Sequence, residues 1–507
     1  MSRRWVFGDQ LGPHFLDDPD DGQVLLVESL DVFRRRPFHR RKAHLVLSAL
    51  RHRARELGPR AVHVRTVTYR EAVEAQLERA PGERLQVCDP TSRAARGLVQ
   101  RLASEGLVEV LPARGWAVTH EQFAEWVRRR GAKRLLLEDF YRDVRRLHDL
   151  LLDPDGEPEG GRWNYDADNR EPPPRRVRQL ADAVDVGEPW WPAEDDVDAQ
   201  VREDLDRWAR DEGVTYLGDD GPRRFAVTRD EALAALETFV TRRLAAFGRY
   251  EDAMLAGDRW MAHSLLSAPL NLGLLHPLEV ADRAVRAYRE GEAPLAAVEG
   301  FVRQVVGWRE YVWQLYWHLG EDYRRRNALA ARRPLPDWWQ DLDAAGEVRA
   351  RCLSDVLASV REEGWAHHIP RLMVLGNWAL QRGYDPAALT DWFHRAFVDG
   401  YDWVMVPNVV GMSQHADGGQ LATKPYVAGG AYVNRMSDYC GDCRYDPRLR
   451  VGERACPFTA GYWAFLDRNR DRLAGNFRMA QALRGLERLA DRDDVRRQEA
   501  GRGPGAP

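Results

Sequence analysis

The organisation of this chain follows from residues 401–463, which read YDWVMVPNVVGMSQHADGGQLATKPYVAGGAYVNRMSDYCGDCRYDPRLRVGERACPFTAGYW. Three of the five cysteines lie here, Cys440, Cys443 and Cys456, spaced C-x2-C-x12-C with a proline after the last. A fourth, Cys352, lies far upstream, so one cluster of all four would join two distant segments. Zinc and iron–sulfur clusters both accept four thiolates. The aromatic surroundings favour iron–sulfur, but the spacing alone leaves both metals open.

Length and composition are those of a globular protein with two to four domains, since 507 residues easily bury a sizeable core. No apolar run approaches the ~20 residues that a membrane-spanning helix needs. The first residues, MSRRWVFGDQLG, lack the apolar region of a signal peptide. Five cysteines without an export signal predict a cytoplasmic protein without disulfides. With a net charge of −4, a polyanionic partner needs a local basic patch.

Residues 1–125 alternate short apolar runs with helical patterns, which predicts a Rossmann-like α/β domain with a parallel sheet. Ligands bind at the carboxyl ends of such strands. Gly8, Asp9 and Gln10 follow the first strand and form a candidate site there. No glycine-rich phosphate loop follows this strand, and Cys88 is expected to be a buried structural thiol.

The remainder of the chain divides into three parts. Residues 126–229 are rich in glycine, proline and charge and predict a long interdomain connector. Residues 230–495 are a series of amphipathic helical patterns, which predicts an all-α domain. Residues 496–507 end in GRGPGAP and predict a disordered tail.

Longer motifs recur along the whole chain. In order they are FGDQL, GGRWNYDADNR, HSLLSAPLNLGLLHP, QVVGWREYV, HHIPRLMVLGNWAL, MVPNVVGMSQ, TKPYV, GAYVNRMSDYC and CRYDP…ACPF. This combination resembles the photolyase/cryptochrome superfamily, and within it the bacterial iron–sulfur branch of (6-4) photolyases. The resemblance implies that Cys352, Cys440, Cys443 and Cys456 hold a 4Fe–4S cluster.

The resemblance also implies that the helical half is a FAD-binding catalytic domain. Residues matching the family's FAD contacts are Tyr250, His263, Ser264, Leu265, Leu266, Ser267, Asn271, Gln304, Trp308, Arg309 and Asn408. Arg371 and Asp399 match an ion pair beside the flavin ring, where the two charges stabilise reduced flavin. Serine hydroxyls and backbone N–H groups at a helix start suit an anion such as pyrophosphate, although an ordinary helix cap has the same pattern.

The chemistry implied by the resemblance centres on adjacent histidines. His368 matches the histidine that donates a proton to the (6-4) photoproduct, a role suited to a group that titrates near neutrality. His367 precedes it on the same helix. Tyr426 and Tyr432 match aromatic residues that flank a flipped-out lesion. From the residues alone, all four side chains would be assigned to packing.

In the N-terminal domain, the resemblance implies an antenna pigment, 6,7-dimethyl-8-ribityllumazine, which passes absorbed energy to FAD. Gly8, Asp9 and Gln10 match the motif at its pocket. Lys42 and His44 are further candidates for the lining, although solvation of a helix would explain Lys42 as well.

Two features depart from the family pattern. The aromatic-Trp-Thr-Gly run that usually precedes the first cluster cysteine is absent, so Trp338 or Trp339 is expected to replace the surface end of the electron-transfer chain. Trp392 matches the tryptophan nearest the flavin, and its neighbour is Phe393, which cannot hold a hole as tyrosine does. Met405 stands where a polar group facing flavin N5 is expected.

Two functions follow from the resemblance. The favoured one is light-driven repair of (6-4) photoproducts by a monomeric enzyme that binds UV-damaged DNA and no membrane. The alternative is a cryptochrome-like photoreceptor that signals through flavin redox state. The histidine pair and TKPYV favour repair.

Overall fold

The computed structural model describes residues 3–17, 22–79, 84–503 and 505–507. Its first part contains a five-stranded, all-parallel sheet in the order β3-β2-β1-β4-β5. The strands are β1 (Arg3–Val6), β2 (Val24–Ser29), β3 (Ala61–Thr66), β4 (Leu85–Cys88) and β5 (Val108–Leu111). Parallel strands with both faces covered read as apolar runs, and β2 is buried along its whole length. The predicted α/β domain is confirmed.

Helices cover both faces of this sheet. They are α1 (Leu30–Arg35), α2 (Arg40–Leu57), α3 (Tyr69–Glu78) and α4 (Arg93–Ser104). Helix α2 ends where the sequence predicts, because Gly58 adopts a positive φ of 54° that favours glycine. Cys88 is buried at the end of β4, as expected of a structural thiol.

The predicted connector contains more regular structure than its composition indicates. Helix α5 (His120–Arg130) crosses the predicted boundary at residue 125, and α6 (Leu137–Leu147) and α7 (Asp196–Asp211) follow. Phe140 and Tyr141 of α6 are buried in a core that also includes residues of α2. Helix α7 packs along α2. The segment therefore joins the two halves through shared packing.

The second half is helical, as predicted. Its helices are α8 (Arg229–Arg242), α9 (Leu244–Arg249), α10 (Ser267–Asn271), α11 (Pro277–Arg289), α12 (Leu295–Val302), α13 (Glu310–His318), α14 (Asp337–Gln340), α15 (Arg351–Glu363), α16 (Asn377–Arg382), α17 (Pro386–Ala396), α18 (Asp402–Val406), α19 (Gly430–Met436), α20 (Pro457–Arg468), α21 (Arg470–Leu473), α22 (Ala480–Glu487) and α23 (Arg492–Gly501). Three π-helices interrupt them: π1 (Arg303–Arg309), π2 (Pro370–Gly376) and π3 (Pro407–Ser413).

The prediction of a disordered tail from residue 496 is wrong for the residues that the structure describes. Helix α23 continues to Gly501 because Val495 and Glu499 are buried, and Glu499 forms a buried ion pair with Arg382. The Pro507 carbonyl accepts a hydrogen bond of 3.0 Å from the Ala350 backbone N–H, just before α15. Residue 504 lies outside the described part.

The described helices include none that is both long and apolar enough to cross a membrane.

Candidate active site

The three π-helices carry five of the thirteen predicted cofactor residues of the helical half. Gln304, Trp308 and Arg309 lie on π1, Arg371 on π2 and Asn408 on π3. Helices π2 and π3 pack against each other. A π-turn inserts a residue into a helix and often marks a functional site, because it re-aims side chains. The structure thus distorts the helices at the positions that the resemblance assigns to a cofactor.

Asp399 is the centre of a buried polar cluster in this region. The Nη1 and Nη2 atoms of Arg371 donate to its carboxylate, at 2.9 and 3.1 Å, and the Ser267 hydroxyl donates at 2.7 Å. The Asn271 amide donates to the Asp399 backbone carbonyl at 3.1 Å. Bidentate arginine–carboxylate geometry fixes both partners. Four predicted residues, from α10, π2 and the segment before α18, are therefore brought together.

The segment before α10 has an unusual backbone. Leu265 adopts a φ of 58°, which is uncommon for a residue with a side chain. The Ser264 hydroxyl accepts a hydrogen bond from the Leu266 N–H at 3.3 Å. A cofactor phosphate would fit this strained turn. The Ser264 hydroxyl also caps the turn, as it would in an ordinary helix cap.

Two buried histidines stack beside this turn. The rings of His263 and His367 lie 4.2 Å apart and 22° from parallel. Burial, together with neighbouring cationic groups, holds the pKa of both imidazoles well below the ordinary value, so both are neutral. His263 Nε2 and His367 Nδ1 are buried without a hydrogen-bond partner in the described structure. Such orphaned atoms fit a polar group supplied by a bound cofactor.

His368 differs from its neighbours because its side chain remains 45% exposed and has an acidic partner. Its Nε2 lies 3.5 Å from Asp252 Oδ1. Burial of the ring lowers its pKa, but the Asp252 hydrogen bond and the charge of Glu251 outweigh that effect and raise the pKa above the ordinary value. The site therefore holds one histidine with a raised pKa beside two neutral ones.

Glu251 and Asp252 were not predicted from the sequence. Glu251 Oε1 accepts a hydrogen bond of 2.7 Å from the Gln304 amide, so a predicted cofactor residue instead holds this carboxyl. Burial raises the pKa of Glu251 to about 7, against the opposing charge of His368. The only signal in the sequence is an acidic pair that directly follows Tyr250, which is common on surfaces.

Tyr426 and Tyr432 lie at the open side of this cluster, and both are partly exposed. Burial raises the pKa of both phenols, that of Tyr432 to about 12. The charge of Asp252 acts on both in the same direction. Asp252 is thus close enough to His368 and to both tyrosines for its charge to act on all three.

Other predicted cofactor residues are engaged within the protein. The Asn408 amide donates to the Val404 carbonyl of the preceding turn at 2.8 Å. Arg309 donates to Glu310 at 3.1 Å, and its guanidinium lies 4.0 Å from the centre of the Trp116 ring. Tyr250 is buried at the end of α9. Through these contacts, the three side chains stabilise the surrounding helices.

The predicted antenna residues divide into two groups. Asp9 accepts a hydrogen bond from the Thr91 hydroxyl, its Oδ1 is buried without a described partner, and burial raises its pKa. The Gln10 amide spans Cys88 O at 3.1 Å and Phe7 N at 3.3 Å, which joins β1 to β4. A Cβ at Gly8 would lie 3.0 Å from Val46.

Lys42 and His44 lie on α2 and face different neighbours. The Lys42 ammonium donates to the His394 and Gly400 carbonyls, at 2.7 Å each, and lies 5.4 Å from the centre of the Tyr401 ring. Burial lowers its pKa to about 7. His44 bonds the Asp198 carbonyl at 3.1 Å on the α7 side. The structure therefore does not bring His44 together with Asp9, because successive positions of α2 face different elements.

The four predicted cysteine ligands line one small cavity, together with apolar residues that include Tyr439 and Phe458. Burial raises the pKa of the thiols of Cys352, Cys440 and Cys456, that of Cys440 to about 12. Although all four residues are described, no three of their sulfurs lie within 4.8 Å of one another. A Cβ at Gly430 would lie 2.8 Å from Cys456 Sγ, so the cavity wall requires glycine.

Trp392 begins a row of aromatic rings. Trp339 lies 5.4 Å from Trp392, and Trp338 and Tyr384 lie 5.9 and 6.0 Å from Trp339. Of the two tryptophans expected to replace the missing motif, Trp339 is thus the one in direct contact with Trp392. This row bypasses Phe393.

Comparison with known proteins relates this arrangement to a family. Residues 4–213 match the family model of deoxyribodipyrimidine photo-lyase-related proteins. A (6-4) photolyase of Agrobacterium fabrum is 40% identical over 514 aligned residues, which cover 98% of this chain and 97% of that protein. An uncharacterised protein of Acanthamoeba polyphaga mimivirus is 35% identical over 91 residues, 18% of this chain and 69% of that protein.

A solved structure shares the fold. The crystal structure of a bacterial class III photolyase from Agrobacterium tumefaciens aligns with a TM-score of 0.54 and 15% identity, over 99% of this chain and 96% of that one. The shared fold agrees with the near-complete alignment to the (6-4) photolyase, which shows the family of this chain. The chain belongs to the family of deoxyribodipyrimidine photo-lyase-related proteins.

Proposed function

We propose that this protein repairs (6-4) photoproducts in UV-damaged DNA with light. The observation that carries the proposal is the placement of His368, a half-exposed histidine whose pKa is raised by its partner Asp252, the charge of which also acts on Tyr426. Near-complete alignment with a (6-4) photolyase supports the substrate class. A photoreceptor would not need a proton donor at an opening to solvent.

FAD is the cofactor that the family implies, and residues 230–495 would bind it. The orphaned nitrogens of His263 and His367 and the strained turn at Leu265 fit a polar cofactor. Bound there, FAD would supply an electron to the lesion on illumination. The Arg371–Asp399 pair would hold opposite charges at fixed positions beside the ring, since each is locked by a bidentate hydrogen bond.

His368 would act as the general acid. A proton on Nε2 leaves toward a group that gains negative charge, and Asp252 keeps that nitrogen protonated in the resting site. Glu251, which accepts a hydrogen bond from Gln304, would be a second carboxyl beside this pair, with a pKa of about 7. His367 would position the neighbouring ring through its stack with His263 and would itself move no proton.

Tyr426 and Tyr432 would hold the lesion. Enzymes that act on a base in a duplex rotate it into a pocket and stack it on aromatic side chains. Both tyrosines are partly exposed at the opening in front of His368. Their rings would flank the flipped-out photoproduct and place it within reach of the proton.

The four cysteines would hold a 4Fe–4S cluster and not a single zinc ion. A tetrahedral zinc–thiolate site, with bonds of about 2.3 Å, draws the sulfurs to about 3.8 Å from one another. No three of the sulfurs here lie within 4.8 Å of one another, and the cavity that they line is apolar, which favours the larger cluster. The cluster would join α15 to the segment before α20, and its role would be structural.

The antenna pigment 6,7-dimethyl-8-ribityllumazine would bind at the carboxyl end of β1. The unpartnered Asp9 Oδ1 is a buried acceptor there, and Lys42 and Tyr401 border the same region. For photoreduction, we propose that Trp392 passes a hole directly to Trp339 and then to Trp338 or Tyr384.

The His368→Ala variant tests the proposed chemistry. With FAD reduced and duplexes carrying one (6-4) photoproduct, repair per absorbed photon should fall ~10²–10⁴-fold, the usual contribution of a general acid. FAD content and DNA affinity should not change. His318→Ala, at an exposed histidine that ends α13, is the control and should repair normally. A loss of only a few-fold in His368→Ala would contradict the assignment.

A further inference from the structure

Phe477 is the most exposed large hydrophobic side chain in the described part of the protein. Its exposed fraction is 82%, and the next, Leu147, reaches 50%. It begins the short 3₁₀ turn Phe477–Met479 between α21 and α22. A ring this exposed adds little to the stability of the core and is free to contact a partner.

The turn that carries Phe477 is fixed to the loop that carries Tyr426. The Asn476 side chain donates to the Thr423 carbonyl at 2.9 Å and accepts from the Arg478 N–H at 3.1 Å. Met479, which is 4% exposed, packs in a hydrophobic cluster that also contacts Val427. The loop 423–427 is therefore held to the turn on both sides of Tyr426, and Phe477 has a defined place beside it.

The surroundings of Phe477 are cationic. Lys424 and Arg478 are exposed, and within the described residues neither has a carboxylate at ion-pair distance. Burial raises the pKa of the Tyr426 phenol, while Arg478 is close enough for its charge to lower it. On the other side of the opening, the Arg435 guanidinium lies 5.7 Å from the centre of the Tyr432 ring. Phe477 itself lies beside an exposed cation, because the Arg478 guanidinium is 5.7 Å from the centre of its ring.

We propose that Phe477 is a wedge that enters duplex DNA beside the flipped-out lesion and stacks on the bases left behind, while Lys424 and Arg478 bind flanking phosphates. Flipping leaves an unstacked gap, and apolar side chains inserted between base steps offset that loss. Lys424 and Arg478, which form no ion pair in the described structure, match the phosphates of a DNA strand and would repel the same surface of a second copy. This inference rests on the proposed function, because it assumes that a lesion is flipped toward Tyr426.

Binding in the dark tests the wedge without any light chemistry. The dissociation constants of Phe477→Ala and the wild type are measured for one (6-4) photoproduct placed in a duplex and in the corresponding single strand. Loss of a stacked ring should weaken duplex binding about tenfold. Single-strand binding should change less than twofold, because a single strand leaves no gap. Leu147→Ala, which removes another exposed side chain, should change neither constant.

Two further measurements complete the test. Phe477→Trp should retain duplex affinity, and a 2-aminopurine opposite the lesion should be less quenched by Phe477→Ala than by the wild type. Equal weakening on duplex and single strand, or no weakening on either, would overturn the wedge. A wild-type dimer that Phe477→Ala converts to monomers would also overturn it, in favour of a second copy as occupant. Failure of the proposed function would instead appear as wild-type protein that binds the lesion and restores no bases in light.

Discussion

Two side-chain clusters in the helical half have opposite character. The cysteine cavity is apolar, and burial raises the pKa of three of its thiols, so nothing there favours charge without a metal. The His368 cluster is partly open to solvent and combines an imidazole of raised pKa with two carboxyls. A closed apolar cavity holds a group in place, whereas an open charged one exchanges protons with what enters it. This difference assigns support to the cysteines and chemistry to the histidine.

Removing a cysteine ligand should have the largest effect. Cys440→Ala removes one of the four thiols that line the cavity and should abolish iron binding and most soluble expression. Iron and sulfide analysis of the purified protein measures this. Cys88→Ala, at a buried thiol outside the cavity, should keep full iron content. A soluble Cys440→Ala variant with full iron content would remove the distinction between the two clusters.

Removing a tyrosine at the opening should have a smaller effect, confined to binding. A stacked base contributes ~1–3 kcal/mol, so Tyr426→Ala should raise the dissociation constant for lesion DNA by one or two decades. Tyr426→Phe keeps the ring and should bind like the wild type, which makes it the matched control. If both variants bind equally weakly, the hydroxyl and not the ring makes the contact.

Removing the partner of His368 should have the smallest effect, a several-fold change in the repair rate that depends on pH. Asp252 raises the pKa of His368, so Asp252→Asn should lower it and deplete the protonated form at a lower pH. Repair falls as pH rises through this pKa, so the variant should lose activity at pH 8 and keep it at pH 6. Repair rates from pH 6 to 9 measure the shift. Parallel profiles for variant and wild type would contradict the role of Asp252.

The sequence predicted the regular parts of the fold well, because apolar periodicity reports burial. All five strands and the end of α2 at Gly58 are where the patterns place them. It missed the break between α8 and α9 at Arg243, whose guanidinium is buried against backbone carbonyls, and it missed α23. Both depend on long-range contacts that a local pattern does not contain.

The candidate site was predictable in its residues but not in its geometry. The motifs indicated His368, Arg371 and Asp399, and the structure shows the arginine–carboxylate pair. Asp252 lies more than a hundred positions from His368, and no spacing rule connects them. The π-helices could not be predicted either, since their sequences follow ordinary helical periodicity.

Light-dependent restoration of bases tests the account most directly. Wild-type protein with reduced FAD is mixed with duplexes that carry one (6-4) photoproduct, and restored pyrimidines per flavin are counted in light and in darkness. The account predicts several turnovers per flavin in light and none in darkness. Lesion DNA that is bound, illuminated and left unchanged would contradict it and would favour a photoreceptor.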